Sequence, residues 1–290
     1  MTATAPADLT PRVRDLDFAM SAHWNTHWFR GDPVGTAVFN ALSLTFPDGE
    51  RMFMDAVRHY RKQVPVPLQE EVKAFLHQEA IHAREHQALN ALIDRNRYDV
   101  AGVEASIRRN IQLGRDRGPL SMLMATTVLE HLTAVMADVH QRHGHRIWAG
   151  VPEPLERLWR WHSLEETEHK AVAFDVLRVV TAHWSPRKFH VRRVLSMLLI
   201  SYFFPRNITR HAVQLLAGDG MGRWEATRKV LRFLWWSPGI FRLGWRHYLA
   251  WFRPGFHPWG HGELDRFREW RREFDAEAGA VPARFPAAAG

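Results

Sequence analysis

The chain has 290 residues, no cysteine and a formal net charge of +8. The absence of cysteine excludes disulfide bonds, thiolate metal sites and cysteine nucleophiles. A charged fraction of 24% is too high for a polytopic membrane protein, and the longest strongly apolar run, residues 194–204, is shorter than the roughly 20 residues of a membrane-spanning helix.

From Pro33 onward, apolar residues recur at three- and four-residue spacings, and the alternation typical of strands is absent. This pattern predicts an all-α protein. Proline and glycine positions indicate where the helices begin and end. The long predicted helices cover residues 47–63, 67–96, 119–143 and 152–183, and a shorter one covers residues 100–113.

These elements divide the chain into four predicted regions. Residues 1–32 have few periodic apolar positions and are predicted to form an irregular N-terminal arm. Residues 33–185 contain the long helices and are predicted to form a bundle. Residues 186–275 are predicted to be additional helices packed on the bundle, and residues 276–290, rich in Ala, Gly and Pro, to be a loose tail.

Four of the predicted helices carry metal-ligand residue types on otherwise apolar faces. In chain order, these residues are Glu50, Glu79 with His82, Glu130, and Glu166 with His169. Taken singly, a Glu at such a position is more often a charge on the helix surface, and a His is more often a core histidine with ordinary hydrogen-bond partners. However, a dimetal site in a helical bundle takes one Glu from each of two helices and a Glu-x-x-His pair from each of the other two. Buried together, these carboxylates would repel one another without cations, so the set predicts a centre of two metal ions.

Two further histidines fall near the same faces. His162 lies one turn before Glu166 and is predicted to be a seventh ligand, with a role as a hydrogen-bonding partner as the alternative. His86 lies one turn after His82 and is left open between these two roles. Glu85, Glu165 and Glu168 point away from these faces and are expected to be solvated or to hydrogen-bond the ligands. No catalytic residue is assigned beyond the metal centre.

Three stretches carry a resemblance to known families, namely residues 40–50, 77–86 and 162–170. The set resembles the ferritin-like di-iron carboxylate proteins. The arrangement His162-x-x-x-Glu166-x-x-His169 is similar to that of aminoarene N-oxygenases, in which an added histidine is a metal ligand. More closely, the chain looks like a bacterial family of predicted metal-dependent hydrolases. These resemblances imply a ferritin-like four-helix bundle with additional C-terminal helices.

The donor set of carboxylates and imidazoles suits iron, so we expect two iron ions, with manganese as the alternative. We expect an enzyme that activates dioxygen to oxidise a hydrophobic small molecule, served by an electron-transfer partner. The alternative is a metal-dependent hydrolase that uses metal-activated water. A second alternative is a non-catalytic metal-binding protein. Small residues near Glu130, among them Ala134 and Ala137, predict a substrate cavity beside the metals, with tight helix packing as the alternative.

The C-terminal region interleaves Trp with Arg, most densely over residues 231–236 and 241–248. We expect these aromatic residues to pack over the bundle beneath Arg side chains. Peripheral contact with the inner membrane and a lipid-like substrate are left as alternatives. Nucleic acid is not expected, because no recognised binding motif is present. We expect a cytoplasmic protein and leave a homodimer open.

Overall fold

A computed structural model describes residues 10–18, 20, 26–260 and 264–280. These residues form helices and no strand, which confirms the all-α prediction. Much of the predicted arm (residues 1–9, 19 and 21–25) and the tail from residue 281 onward lie outside the described residues. In chain order, the helices are α1 (Pro33–Tyr60), α2 (Val66–Ala91), α3 (Val100–Arg115), α4 (Pro119–Ile147), α5 (Glu153–His169), α6 (Val172–Val180), α7 (Pro186–Leu216), α8 (Arg223–Trp235), α9 (Ile240–Leu243), α10 (Trp245–Ala250) and α11 (Asp265–Ala280).

Helices α1, α2, α4 and α5 enclose one part of the protein interior. Helix α1 packs along α2, and α4 packs along α5, while α1 also contacts α4 and α2 also contacts α5. Helix α7 lies across α1 and α4, α8 packs on α7, and the short helices α9 and α10 contact α4. The C-terminal helices therefore lie directly on the helices that enclose this interior, and α11 packs on α5.

Helix α1 begins at Pro33, whereas the sequence predicted a helix beginning at Pro47. The carboxylate of Asp32 caps the observed start by accepting the N–H groups of Val34 and Gly35, at 3.0 and 3.2 Å. A proline at the first helical position loses no hydrogen bond, because that N–H has no partner within the helix. The predicted start at Pro47 is therefore wrong.

Pro47 lies inside α1, where its missing N–H leaves the carbonyl of Ser43 without its helical donor. Asn90 of α2 replaces that donor, because its side-chain amide donates to the Ser43 carbonyl at 3.0 Å. The hydroxyl of Ser43 in turn donates to Asn90 Oδ1 at 2.7 Å. As a result α1 passes through Pro47, and Glu50 lies well within the helix rather than in its opening turn.

Asn90→Leu is expected to lower the free energy of unfolding by about 1–3 kcal/mol, the cost of a buried carbonyl without a donor. Urea unfolding followed by circular dichroism measures this. Asn96 is exposed, so Asn96→Leu is the matched control and should change stability by less than about 0.5 kcal/mol. Equal stabilities for the two variants would contradict this account of Pro47.

Other helix boundaries also differ from the predictions. Helix α2 ends at Ala91 rather than near residue 96, and α4 continues through Gly144 to Ile147. The single helix predicted over residues 152–183 is two helices, α5 and α6, separated by a turn at residues 170–171. That turn contains neither Pro nor Gly, so no local signal marks it. Helix α11 includes residues 276–280, which the sequence assigned to the loose tail.

Among the described residues, α4 is the one helix long and apolar enough, by length and composition, to cross a membrane. However, 56% of its most apolar window is buried inside the protein. Core helices of globular proteins commonly have this composition, because a helix that is apolar on most sides is buried. The finding is therefore weak evidence for a membrane span.

Candidate metal centre

All seven predicted donors lie in the interior between α1, α2, α4 and α5, and each is at most 4% exposed. Their ligand atoms form three groups, and within each group the atoms lie within 4.8 Å of one another. The groups are Glu50 with His82 and His162, Glu79 with Glu130 and His169, and Glu79 with His82 and Glu166. The first two groups share no residue, whereas the third takes one member from each of them and adds Glu166.

The carboxylate of Glu166 lies between the first two groups. Its Oε1 is 3.1 Å from His162 Nε2 and 3.8 Å from His82 Nδ1. Its Oε2 is 3.5 Å from His169 Nε2, and Glu79 Oε1 is 3.2 Å from the same nitrogen. The two oxygens of one carboxylate therefore face two different sets of donors, which is the placement that a bridging carboxylate requires.

The donor atoms that face this interior lack ordinary hydrogen-bond partners. Among the described residues, none makes a hydrogen bond to either carboxylate oxygen of Glu50, Glu79 or Glu130. The unpartnered ring nitrogens are His82 Nδ1, His162 Nε2 and His169 Nε2. Buried carboxylates without donors are costly, whereas carboxylate and imidazole together bind divalent metals well. The residues present therefore fit a metal site.

The electrostatics of the carboxyl groups agree with this. Burial raises the pKa values of Glu50, Glu79 and Glu130 well above their ordinary range, and repulsion from neighbouring carboxylates raises them further. Without a cation, these carboxyl groups therefore tend to retain their protons. Bound cations would reverse this effect, because an opposite charge nearby favours the ionised form.

Glu166 differs from the other carboxyl groups. Burial disfavours its charge, but attraction by the nearby rings of His169 and His162 holds its pKa well below the ordinary value. Burial, with repulsion from His162, lowers the pKa of His82. A neutral imidazole is the form that binds metals, so His82 is in the form suited to a ligand.

The ring nitrogens on the far side of two of these histidines are held by neighbouring side chains. His82 Nε2 lies 3.1 Å from Glu165 Oε2, and His169 Nδ1 lies 3.1 Å from Gln78 Oε1. The amide of Gln78 donates to Glu168 Oε2 at 2.9 Å. Such partners fix which ring nitrogen of a histidine is free for a metal, and how the ring is oriented.

Arg14, from the N-terminal arm, contacts both Glu165, which lies beside His82, and Glu168, which holds Gln78 beside His169. Its guanidinium donates to Glu165 Oε1 at 3.1 Å and to both oxygens of Glu168 at 3.0 and 2.7 Å, and it also donates to Asp275 of α11 at 2.8 Å. Burial disfavours its charge, but the hydrogen bond to Glu168 and the surrounding carboxylates raise the pKa of Arg14 above its ordinary value. Glu85, Glu165 and Glu168 are 6%, 0% and 1% exposed, so they are not solvated, and Glu165 instead pairs with the ring of His82, which is the other role expected for it.

His86 holds the ring of His162. His162 Nδ1 lies 3.1 Å from His86 Nε2, and His86 Nδ1 lies 2.9 Å from the hydroxyl of Ser43. Both ring nitrogens of His86 are therefore engaged with protein groups. Of the two roles left open for His86, this geometry favours that of a hydrogen-bonding partner.

His86→Phe is expected to weaken metal affinity by about 10–100-fold without lowering the number of ions bound at saturation, because it removes a partner of a ligand and not a ligand. Competition with a metal-binding dye measures the affinity. His211 is buried and bonded to Ser106, so His211→Phe is the matched control and should leave metal affinity unchanged. A lower number of bound ions in His86→Phe would make His86 itself a ligand.

A cavity of about 50 Å³ adjoins Glu166 and His162 and has room for a few water molecules. His140, in its wall, is neutral near pH 7, because burial lowers its pKa to about 3. Ala137 lines this cavity, as the sequence predicted. Ala134 lines a different cavity, so the expectation that it borders the metals is wrong.

Sequence reasoning missed several residues around the donors, namely Arg14, Gln78, Ser43 and Thr133. Thr133 donates its hydroxyl to Glu166 Oε2 and so holds that carboxylate beside the small cavity. The position of Gln78, directly before Glu79, is a weak sequence signal that its side chain lies near the donors. Arg14 gave none, because it is far from its partners in the chain and lies in a segment without periodicity.

Comparison with protein families finds that the family described as predicted metal-dependent hydrolase matches residues 12–262. The match includes all seven donors and Arg14. It supports a metal-dependent hydrolase, the alternative expected from the sequence, better than a dioxygen-activating enzyme. Comparisons with curated proteins and with solved structures find no match to the chain.

Proposed function

The chain belongs to the predicted metal-dependent hydrolase family, and we propose that it is an enzyme that hydrolyses an organic substrate at a centre of two metal ions. The observation that carries the proposal is the set of seven buried donors whose inward atoms largely lack protein partners. A ferritin-like arrangement of α1, α2, α4 and α5 is part of this proposal.

The grouping of ligand atoms supports a division of the donors between two ions. Glu50, His82 and His162 would hold one ion, Glu130 and His169 would hold the other, and Glu79 and Glu166 would be shared. This division gives each ion both carboxylate and imidazole ligands, a combination that suits iron and manganese. Iron is the proposed metal, with manganese as the alternative.

When bound, the ions would lower the pKa of a water molecule and polarise a carbonyl or phosphoryl oxygen. The chain itself orients the donors and limits access by solvent. Thr133 holds Glu166 against the small cavity, and His86 holds the ring of His162. The neutral His140 adds no charge to the wall of the small cavity, and the carboxylate in that wall is Glu166.

Metal analysis and hydrolysis assays on the full-length protein test this function. The protein is stripped of metal, reloaded with iron(II), manganese or zinc, and assayed on chromogenic carboxylic and phosphoric esters. We expect two ions per chain and hydrolysis that depends on the metal. Glu70 lies on α2 with an exposed side chain, so Glu70→Gln serves as the control and should retain both properties. Hydrolysis that survives removal of the metal would contradict the proposal.

Oxidation with dioxygen is the second candidate function. The donor set itself favours it, since two Glu-x-x-His pairs and two further Glu residues on helices are typical of di-iron carboxylate sites. Anaerobic loading with iron(II), followed by exposure to oxygen in an oxygen electrode, distinguishes the two functions. Oxygen uptake without ester hydrolysis would assign oxidation. Retained metal with neither activity would assign the non-catalytic role.

A further inference from the structure

A second cavity, of about 530 Å³, lies between α4, α7 and the segment from α8 to α10. Its volume is within the range of about 300–1,000 Å³ that is typical of small-molecule sites. The cavity beside the metal donors, at about 50 Å³, is too small for an organic substrate. The larger cavity is mainly aromatic and aliphatic, and its walls include Leu132, Phe204, Trp235, Phe241 and Trp245.

The exposure of the lining residues shows which end of the large cavity opens to solvent. Trp236 and Trp245 are 76% and 53% exposed, so they lie at the mouth. Val135 and Ile240 are 8% and 7% exposed, so they lie at the inner end. The cavity therefore leads from the surface of the C-terminal helices toward α4, the helix that carries Glu130.

The two cavities share a wall. Met136 and Ile240 line both of them, and the small cavity reaches Glu166 and His162 on its other side. Methionine is unbranched and has three rotatable bonds, so it changes rotamer more easily than other apolar side chains. Rotation of Met136 is a simple way to open a passage between the cavities.

The polar groups of the large cavity are largely satisfied by the protein. The hydroxyl of Tyr248 donates to Ser201 Oγ at 3.0 Å, and the guanidinium of Arg242 donates to the Trp236 carbonyl at 3.3 Å. An apolar ligand therefore leaves these hydrogen bonds intact, whereas a polar ligand would have to compete with them. Because the favourable contribution is burial of apolar surface, the cavity suits a long hydrocarbon chain.

We propose that this cavity binds the apolar chain of an amphiphilic substrate, and that the reacting group of that substrate passes between Met136 and Ile240 to the metal centre. The assignment of a reacting group rests on the proposed function. Binding of the substrate's apolar chain does not rest on the proposed function, because the walls of the large cavity include none of the seven metal donors.

Isothermal titration of the full-length protein with dodecanoic and octanoic acids tests the binding step. Dodecanoic acid is expected to bind at one molecule per chain and more tightly than octanoic acid, by up to about fourfold for each additional buried methylene. Ser201→Phe fills part of the cavity and should weaken dodecanoic acid binding at least tenfold. Ser196→Phe, on the same helix but outside the cavity, is the matched control, and Ser201→Ala isolates the loss of the hydroxyl.

The passage between the cavities has its own test. Ala137→Leu, which fills the small cavity and does not line the large one, should lower metal-dependent turnover at least tenfold while dodecanoic acid binding and metal content remain. Equal affinity for the two acids, or undiminished binding by Ser201→Phe, would overturn the proposal. If Ser201→Phe does not fold, Leu132→Phe fills the cavity from α4 and replaces it. Binding of dodecanoic acid by a protein that binds no metal would contradict only the proposed function. Metal-dependent turnover by a protein that does not bind dodecanoic acid would contradict only this inference.

An independent observation concerns the outer face of α7. Val191, Leu195, Leu198 and Tyr202 lie four, three and four residues apart, so they share one face of the helix. They are between 45% and 63% exposed. The described residues therefore leave a stripe of large apolar side chains uncovered along this helix.

The positive charge of α7 indicates which kind of surface covers its apolar stripe. Helix α7 contains no acidic residue and has five exposed basic residues, namely Arg187, Lys188, Arg192, Arg206 and Arg210. A second copy of the chain would bring like charges together, whereas an anionic bilayer is complementary to both the apolar stripe and the basic surroundings. We infer that the outer face of α7 docks on an anionic phospholipid membrane. Phe204 and Pro205 of the same helix line the large cavity, so docking would bring its lining close to lipid.

Co-sedimentation with phosphatidylcholine vesicles, with and without phosphatidylglycerol, tests this surface. Binding is expected only to the anionic vesicles and should weaken as salt is added. Leu198→Glu should reduce binding at least tenfold, whereas Leu113→Glu, at an equally exposed leucine of α3, should not. Absence of binding at low salt would overturn the inference. A dimer in solution that Leu198→Glu dissociates, with no vesicle binding, would assign the face to a second copy instead.

Discussion

Glu79→Gln is expected to stabilise the metal-free protein and to remove most of the stabilisation that metal brings. The carboxyl of Glu79 has a pKa raised by burial and by repulsion from Glu130 and Glu166. It therefore retains its proton to a higher pH in the folded state than in the unfolded chain, so ionisation on unfolding favours the unfolded state as the pH rises. Each unit by which the pKa is raised is worth about 1.4 kcal/mol, so the free energy of unfolding of the metal-free variant at pH 7 should exceed that of the unmodified protein.

The sign of the pH dependence follows from the same linkage. A group whose folded pKa is raised gives its full stabilisation below its unfolded pKa, here near 4.5, and loses it as the pH rises toward the folded pKa. Glutamine does not titrate. The stability of the Glu79→Gln variant relative to the unmodified protein should therefore increase from pH 4 to pH 7, which urea unfolding of the metal-free proteins measures.

In the presence of metal, the Glu79→Gln variant should be less stable than the unmodified protein. Free metal at 100 times its dissociation constant stabilises a folded protein by about 2.7 kcal/mol. Glu79 belongs to two of the three donor groups, so the variant should lose most of that stabilisation and most of its bound metal. Glu70→Gln, an exposed substitution on the same helix, is the control. Retention of two ions by Glu79→Gln would contradict the assignment of Glu79 as a shared ligand.

Arg14→Met is expected to lower the free energy of unfolding by about 3–5 kcal/mol. The substitution leaves the carboxylate of Glu165, which is 0% exposed, buried without its cation, and it leaves Glu168, which is 1% exposed, with only the more distant Arg271 at 3.6 Å. It should also weaken metal affinity by about 10–100-fold, because Glu165 holds the ring of His82 and Glu168 holds Gln78 beside His169. Urea unfolding and dye competition measure the two effects.

Arg12→Met is the matched control for this prediction. Arg12 lies in the same arm and also pairs with Asp275, but its side chain is 61% exposed. Exposed ion pairs contribute about 0–1 kcal/mol, so this variant should remain close to the unmodified protein in stability and metal affinity. Arg14→Lys keeps the charge but not the paired hydrogen bonds to Glu168, and should be intermediate. Equal behaviour of the Arg14 and Arg12 variants would show that the buried network does not support the site.

The helical class and the donor set were predictable because both depend on short spacings in the chain. The Glu79–His82 and Glu166–His169 pairs lie three residues apart, which places each pair on one helical face in any α-helix. The apolar neighbours of these residues indicated that this face is buried. The chemistry of the site was less predictable, since the same donors serve hydrolysis and oxidation and the family match favours the former.

Features that depend on contacts between distant parts of the chain were not predictable. Helix α1 passes through Pro47 because Asn90, on another helix, replaces the missing donor. No residue near Pro47 in the chain reveals that partner, so the local sequence predicts a helix start at this proline. Likewise, the large cavity exists only because α7 and the segment from α8 to α10 pack beside α4.

The sequence by itself determined that this protein is helical and which seven side chains are of the right type and spacing to hold metal ions. Only the tertiary structure decided how those side chains are supported. Arg14 reaches Glu165 and Glu168 across more than 150 residues of chain, and Asp275 across 261. Helical periodicity repeats over a few residues and carries information only about neighbours on one helix, whereas burial of a charge with its partner depends on where separate segments meet.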